Sequence, residues 1–599
     1  MRTDARAGWV RAGPLALGLL LGGCGEAEPE APLASGPPPP TIYRHSEDHA
    51  PGSLDPAQAG SQAAVLVVRA VYDTLYRYRY LARPYQLAPG LAEDLPEVSA
   101  DGRIYRIRLR EDARFPDDPR LPGGRPVEAA DVVASLLRHY DPASRSQGGW
   151  LWLDRIEGLR AWVEAGRPAE GPSGLRALEA SVLEIRLAAP YPALPHTLAS
   201  AFAAVIPREL AVGDHGLARQ PLGSGPFRLL QSGSTQLRLG RNPDYRRERL
   251  DLAAEGYQPT RHAAYGLEAL DGRRLPLVDE VWIDWVADPA SRWLSYSKGD
   301  EIQYTVAPPE QLDRLLDSRD PPRLKPAETL RSRFQASLEA GLIHARFQFD
   351  HPQLGAGRDA AEAARNRALR CAIRDSVDWA ERNRRFHGGL AQIFGGVITP
   401  LMAEFQPRLL PAPPPGLDRR LRAAGWTAET LPVLTEALAG GTVYRERHEH
   451  FADGLQRALG WPRERIRQQV YGRFADLDAA IRRGEADFYW IGWSLDYPDA
   501  ENTLALFYGP NAAPGANSGN YRDAGFDRGY ETLLSLPPGP ERAALAQRLN
   551  QLLIDDCAVV AGLSRARVEL WHRRVLALPD RDFGQGFWLR FVAVEPAPP

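Results

Sequence analysis

Lysine is nearly absent from this 599-residue chain: Lys298 and Lys325 are the only two, so almost all positive charge is carried by arginine. With alanine, glycine and proline plentiful, that bias reads as codon composition rather than as an arginine-based function. The formal net charge of −3 leaves no general basic field to recruit nucleic acid. Cysteine is scarce, and no Cys-x-x-Cys occurs, so a thiolate metal cage is excluded. No P-loop or Gly-x-Gly-x-x-Gly is present, which leaves no sign of a nucleotide site. Zinc-protease spacing is also missing. His448 and His450 stand two apart around Glu449, and residues two apart on a helix face different directions. The run "RERHEHFADGL" therefore reads as a solvated charged face. In "LGSGPF", Gly223 and Gly225 flank Ser224 directly, which fits a turn and not a nucleophile elbow. Metal ligands, cofactors and catalytic residues are thus all expected to be absent.

The N-terminus is the one short apolar stretch of interest. Arg2, Arg6 and Arg11 precede Leu15–Leu21, too short for the roughly 20 apolar residues that span a bilayer but suited to a secretory leader. It ends in "LGGC", which resembles a bacterial lipobox and marks Cys24 as the expected lipidation site and new N-terminus. The Pro/Gly-rich stretch that follows, to residue 40, reads as a flexible tether. Cys371 and Cys557 remain. Their apolar contexts ("LRCAIR", "DDCAVV") favour two buried thiols, with one disulfide left open in an oxidising compartment.

Strand and helix patterns alternate through the rest. "DGRIYRIRLRED" alternates as a partly solvated strand, and "RPVEAADVVASLLRHYDP" is a helix ended by Asp141-Pro142. Residues 276–306 give strand, helix, strand. Helices are expected over 364–385, 416–426, 444–460 and 539–556, and the Pro-rich 405–418 is a loop. "FYWIGWS" (488–494) is apolar enough for a strand covered on both faces. Interleaving without a repeat period indicates mixed α/β with more than one core.

Six collinear stretches carry a resemblance: "GSLDPAQAGSQAAVLVVRAVYDTLYRY", "LAPGLAEDLPEVSADGRIYRIRLREDARFPDD", "PLGSGPFRLL…LGRNPDY", "LPLVDEVWIDWVADPASRWLSYSKGDEIQY", "RNRALRCAIRDSVDWAERNRRFHGG" and "WIGWSLDYPDAENTLALF" with "YRDAGFDRGYETLLS". Together they resemble the family 5 extracytoplasmic solute-binding proteins of ABC importers, over residues 42–577. Asp350, where the family often has Asn, and Cys371, in place of a common Gln, depart from the pattern. The resemblance implies a non-enzymatic, two-lobed periplasmic-binding-protein-like α/β fold (type II, cluster C) with a hinge. Its expected parts are a leader (1–23), a tether (24–40), lobe I (41–280 plus 576–599, with a subdomain about 56–218) and lobe II (281–575). The implied partners are permease subunits and their ATPases, with the chain itself a monomer held to the membrane by its lipid.

Asp496 closes the apolar run, and a carboxylate there needs a counter-charge when water is excluded. The resemblance implies that this acid pairs with a peptide's α-amino group and that Trp493 lines the pocket. Trp490 stands where some oligopeptide-binding members carry arginine, so a partner for a peptide's carboxylate is unplaced. Tyr497, Trp150 and Trp152 complete the candidate ligand-binding set. The competing role for Asp496 is as a turn opener in "LDYPDAEN". Competing ligands are a nickel chelate, an oligosaccharide or an opine, and a receptor role without transport is also open.

Overall fold

In the computed structural model, residues 40–596 are described except 300, 301, 409, 411, 473 and 514, so the leader, Cys24 and the tether lie outside the described residues. The alternating strand Ile42–Glu47 pairs in parallel with Glu280–Trp285, and the sheet continues through Gln236–Arg241 to Phe227–Ser232. Parallel neighbours require a crossover. Here the crossover is long enough to fold a second, antiparallel sheet of its own, in the order Glu97–Val98, Ile104–Arg108, Val182–Arg186, Leu175–Glu179. Helix Ala129–Arg138 lies on that sheet. The Asp131 carboxylate accepts from the Glu128 main-chain N–H at 2.8 Å, capping the helix start.

Beyond residue 300 the architecture is set by a two-stranded ribbon. Ser332–Leu338 and Gly341–Phe347 lie end to end, facing Ala566–His572 and Val559–Ser564 respectively. One end joins Tyr304–Val306 in a three-stranded sheet. The other lies inside a six-stranded mixed sheet, ordered Gln392–Ile393, Val559–Ser564, Gly341–Phe347, Phe488–Ser494, Leu434–Ala439, Ile466–Tyr471. The ribbon breaks at Glu339–Ala340 and Arg565, where those two charged side chains pair at 2.7 Å.

Two large buried clusters follow this division. One gathers side chains from the first two sheets, such as Leu66, Phe115, Ile185 and Val281, and continues into Leu504, Phe526 and Leu549 of the late helices. The other surrounds the six-stranded sheet with Phe347, Ile373, Trp426, Phe451 and Phe488. The chain thus has the two-lobed α/β fold, with packed contact between its halves on the side of the late helices.

Several expectations are corrected. Cys371 and Cys557 form a disulfide instead of standing as thiols. Helix Ala360–Asp375 packs beside strand Val559–Ser564 and brings their Cα atoms within 5.1 Å. The helix expected over 364–385 is two, Ala360–Asp375 and Trp379–Phe386, because Asp378 caps the second by accepting from Glu381 N–H at 2.9 Å. The run holding His448 and His450 is not a wholly solvated face. Both imidazoles turn inward from helix Thr442–Leu459, and His448 Nδ1 lies 2.7 Å from the buried Glu436 carboxylate.

Candidate functional site

Strand Phe488–Ser494 is covered at its start and open at its end. It pairs with Leu434–Ala439 only at Phe488 and Tyr489. Past that point the neighbours part, and Leu438 and Ala439 on one side face Trp490 to Tyr497 on the other across a cleft of about 930 Å³. This corrects the expectation of a strand covered on both faces, and the departure makes the site. The volume lies in the range of small-solute sites, about 300–1,000 Å³. The remaining wall comes from the start of helix Gln62–Val71 and the residues before it, from Trp150 and Phe202, from the ribbon break, and from the returning segment 581–585.

Asp496 sits one turn beyond the strand. Water in the cleft reaches its carboxylate, yet protein atoms crowd it from most directions, and that crowding raises its pKa above the ordinary carboxylate value. Asn502 opposes the rise by donating to Oδ2 at 2.9 Å, while the Glu501 charge adds to it. Among the described residues no cation pairs with Asp496. Asn502 also accepts from Trp493 Nε1 at 3.0 Å and from the Asp496 main-chain N–H at 3.3 Å, so one amide fixes both the acid and the indole. Helix Ala500–Leu504, capped by Asp499, supplies that amide.

The other candidates divide. Trp490 lines the cleft edge-on to Trp379, with ring centroids 5.8 Å apart. Tyr497 also reaches the cleft wall, but its hydroxyl is occupied: it donates to Glu501 and lies 2.9 Å from the Tyr191 hydroxyl. Trp150 and Trp152 leave the short turn Gly149–Leu151 in different directions. Trp150 is 61% exposed at the cleft mouth. Trp152 is 0% exposed, donates from Nε1 to Thr197 Oγ1 at 3.1 Å, and does not line the cleft.

The sequence reading missed the arginines. Arg382, Arg447, Arg565, Arg567 and Arg581 all line the cleft. A signal existed for Arg382: in helix Trp379–Phe386 it shares a face with Trp379, Asn383 and Phe386, an arginine placed on an apolar stripe. Among the described residues no cluster of His, Cys, Asp and Glu could hold a metal ion, and no helix is long and apolar enough to cross a membrane.

Residues 86–515 match the bacterial extracellular solute-binding proteins, family 5 (middle). The chain belongs to that family. It is an extracytoplasmic solute-binding protein and not an enzyme. It is 24% identical over 542 residues to "Di/tripeptide-binding protein 2" of Pseudomonas aeruginosa, an alignment covering 84% of this chain and 86% of the relative. Among solved structures, HbpA2 from Haemophilus parasuis superposes with a TM-score of 0.72 at 17% identity, over 93% of this chain and 100% of that one. The periplasmic binding protein DppA from Helicobacter pylori, in complex with the peptide STSA, gives 0.64 at 18%, over 93% and 98%.

Proposed function

We propose that this chain captures a peptide, or a solute with a similar ammonium group, in the cleft between two lobes and delivers it to an ABC importer. In this reading residues 41–280 with 576–599 form lobe I, 281–575 form lobe II, and a lipid on Cys24 holds the protein at the cell envelope. The observation that carries the reading is Asp496: a carboxylate on the cleft wall, open to the cleft water, oriented by Asn502 and paired with no cation among the described residues. An empty, open cleft leaves such a charge hydrated. Closing the lobes removes the water, so closure is favoured when an ammonium group enters with it. Trp493 and Trp490 would supply the apolar wall. Two protein names support the peptide class, a curated relative called a di/tripeptide-binding protein and a structural neighbour solved with a peptide.

Titration calorimetry with trialanine tests the assignment. Asp496→Ala should weaken binding by about 2–5 kcal/mol, the cost of truncating one partner of an enclosed charge pair. Unchanged affinity would remove Asp496 from the site.

A further inference from the structure

The chain enters its first sheet at Thr41, whose main-chain N–H donates to the Asp279 carboxylate at 2.9 Å. Three residues on, the Arg44 carbonyl accepts from Gln303 N–H at 3.1 Å, and the Gln303 carbonyl accepts from His572 N–H at 3.0 Å. Arg573 N–H in turn reaches the Arg331 carbonyl at 3.0 Å. Adjacent chains in such a ladder lie about 5 Å apart, so Arg331 stands on the order of 15 Å from the first strand.

Four arginines gather there. Arg331 and Arg573 are exposed, and Arg333 and Arg574 are half-buried. Arg331 and Arg573 extend the ladder past the Ser332–His572 pair, which sets two like charges opposite each other, a destabilising arrangement. Arg333 Nε donates to the Arg573 carbonyl at 3.1 Å, and Arg573 Nη1 donates to the Thr329 carbonyl at 2.9 Å. Among the described residues none of the four forms an ion pair with a carboxylate. Glu328 and Glu595 are the acids whose charge reaches this corner. The positive field shows in two titrations. Burial first and then Arg573 lower the Arg333 pKa, with Glu595 opposing them. Burial also lowers the His572 pKa; its bond to the Tyr296 carbonyl opposes that, and Arg574 and Arg331 add to it. Elsewhere the chain answers such charges. Arg565, Arg567 and Arg581, on the cleft, meet carboxylates at 2.7, 2.6 and 2.8 Å.

We propose that Arg331, Arg333, Arg573 and Arg574 form a docking face for anionic lipid headgroups of the membrane that holds the chain's N-terminus. The choice of a membrane as partner rests on the lipid at Cys24. Residues 24–40 are all that separate that lipid from Thr41. They span at most about 60 Å when extended, and about 20–25 Å as a flexible coil. The surface beside Thr41 is therefore kept close to headgroups. Each arginine near an anionic surface contributes about a fivefold gain in affinity. Two signals also hold a protein at a bilayer more firmly than one. A flexible tether alone leaves the fold free to tumble, whereas docking through this face fixes which way the cleft points.

Vesicle flotation separates the face from the anchor. The mature chain from residue 24, carrying Cys24→Ser and so no lipid, should float with vesicles of about 30% phosphatidylglycerol in phosphatidylcholine. It should not float with phosphatidylcholine alone. In that background Arg331→Gln with Arg573→Gln should weaken binding to the anionic vesicles about 30-fold. Arg331→Gln with Arg574→Gln is the second pair should the first fail to fold. Arg467→Gln with Arg528→Gln removes the same charge from exposed positions elsewhere and should change binding little. An equal loss from that control pair would make the attraction a matter of net charge and overturn the face. No preference for anionic vesicles overturns it as well. The anchor is tested apart. If the unsubstituted chain, made in a bacterium that lipidates such leaders, does not float with phosphatidylcholine alone, the Cys24 reading fails. The arginine face still stands or falls on the Cys24→Ser measurements.

Discussion

The cleft wall and its floor, where Arg567, Arg581 and Asp582 line the same cavity, are built from the same kinds of charged side chain in opposite states of completion. In the floor, Glu47 takes both terminal nitrogens of Arg581 at 2.8 Å and lies 2.8 Å from His45 Nε2. Glu569, fully buried on the ribbon strand, accepts from Gln335, Ser337 and Tyr304. Asp582 takes Arg567 and the Ala340 main-chain N–H. Every carboxylate there is answered from within the chain. On the wall of the same cleft Asp496, Arg382 and Arg447 are paired with no opposite charge among the described residues; Arg382 is buried, Arg447 half-buried and Asp496 open to the cleft water. Saturated charges hold the ribbon and the returning C-terminal segment in place, whereas unsaturated ones leave interaction energy to be realised by a visitor.

Removing a charge should therefore act on stability in the floor and on binding in the cleft. The largest effect is expected at Glu47. Burial alone would raise its pKa, but Arg581 and then His45 outweigh that and bring it to about 2. A folded value below the unfolded one means stability that is complete above about pH 4–5 and lost as pH falls toward 2. Glu47→Gln strands Arg581 and should cost about 3 kcal/mol at neutral pH in urea denaturation. A cost near zero would show that the floor is not tighter than the cleft.

The next test concerns the acid pole. Asp496 must be ionised to hold an ammonium group, and burial raises its pKa in the empty cleft. Binding should then require proton release below that pKa, so affinity falls about tenfold per pH unit as acid is added. The fall should begin above the usual Asp value of about 3.9. Asp496→Asn should bind weakly at every pH, with no such slope. A slope retained by the variant would assign the titration elsewhere.

How much of this was legible beforehand depended on whether the signal was local. An acid closing an apolar run marks a strand mouth, and Asp496 lies at one. The alternation of strand and helix gave the α/β class because it depends on neighbours in sequence. The disulfide was hidden, since its cysteines are 186 residues apart and only the packing of a helix on a strand joins them. Trp150 and Trp152 could not be told apart because a single short turn decides which enters the core. The inward turn of His448 depends on a buried carboxylate in another element, Glu436 of strand Leu434–Ala439. Arg382 was lost in an arginine-rich background, where one guanidinium on an apolar helix face looks like composition.

A third state, just outside the cleft lining and beside the start of helix Ala500–Leu504, completes the comparison. Glu404 is largely enclosed, and its Oε2 has no hydrogen-bond partner. The nearby cation, Arg542, is already committed to Asp499 at 2.7 Å. Burial, with the Asp499 charge adding to it, raises the Glu404 pKa to about 7. Here a proton does what a partner does for Glu47 and a ligand would do for Asp496. The folded chain keeps that proton up to about pH 7, whereas the unfolded chain releases it near pH 4.3. Between those values the folded state binds more protons, so stability should decline as pH rises from about 4.5 to 7. Glu404→Gln mimics the protonated form and should flatten that part of the profile, gaining about 1 kcal/mol at pH 8 by urea denaturation and nothing at pH 4. An equal gain at both pH values would point to packing. A loss at pH 8 would mean that the ionised carboxylate is answered by the protein after all, making Glu404 a member of the saturated class.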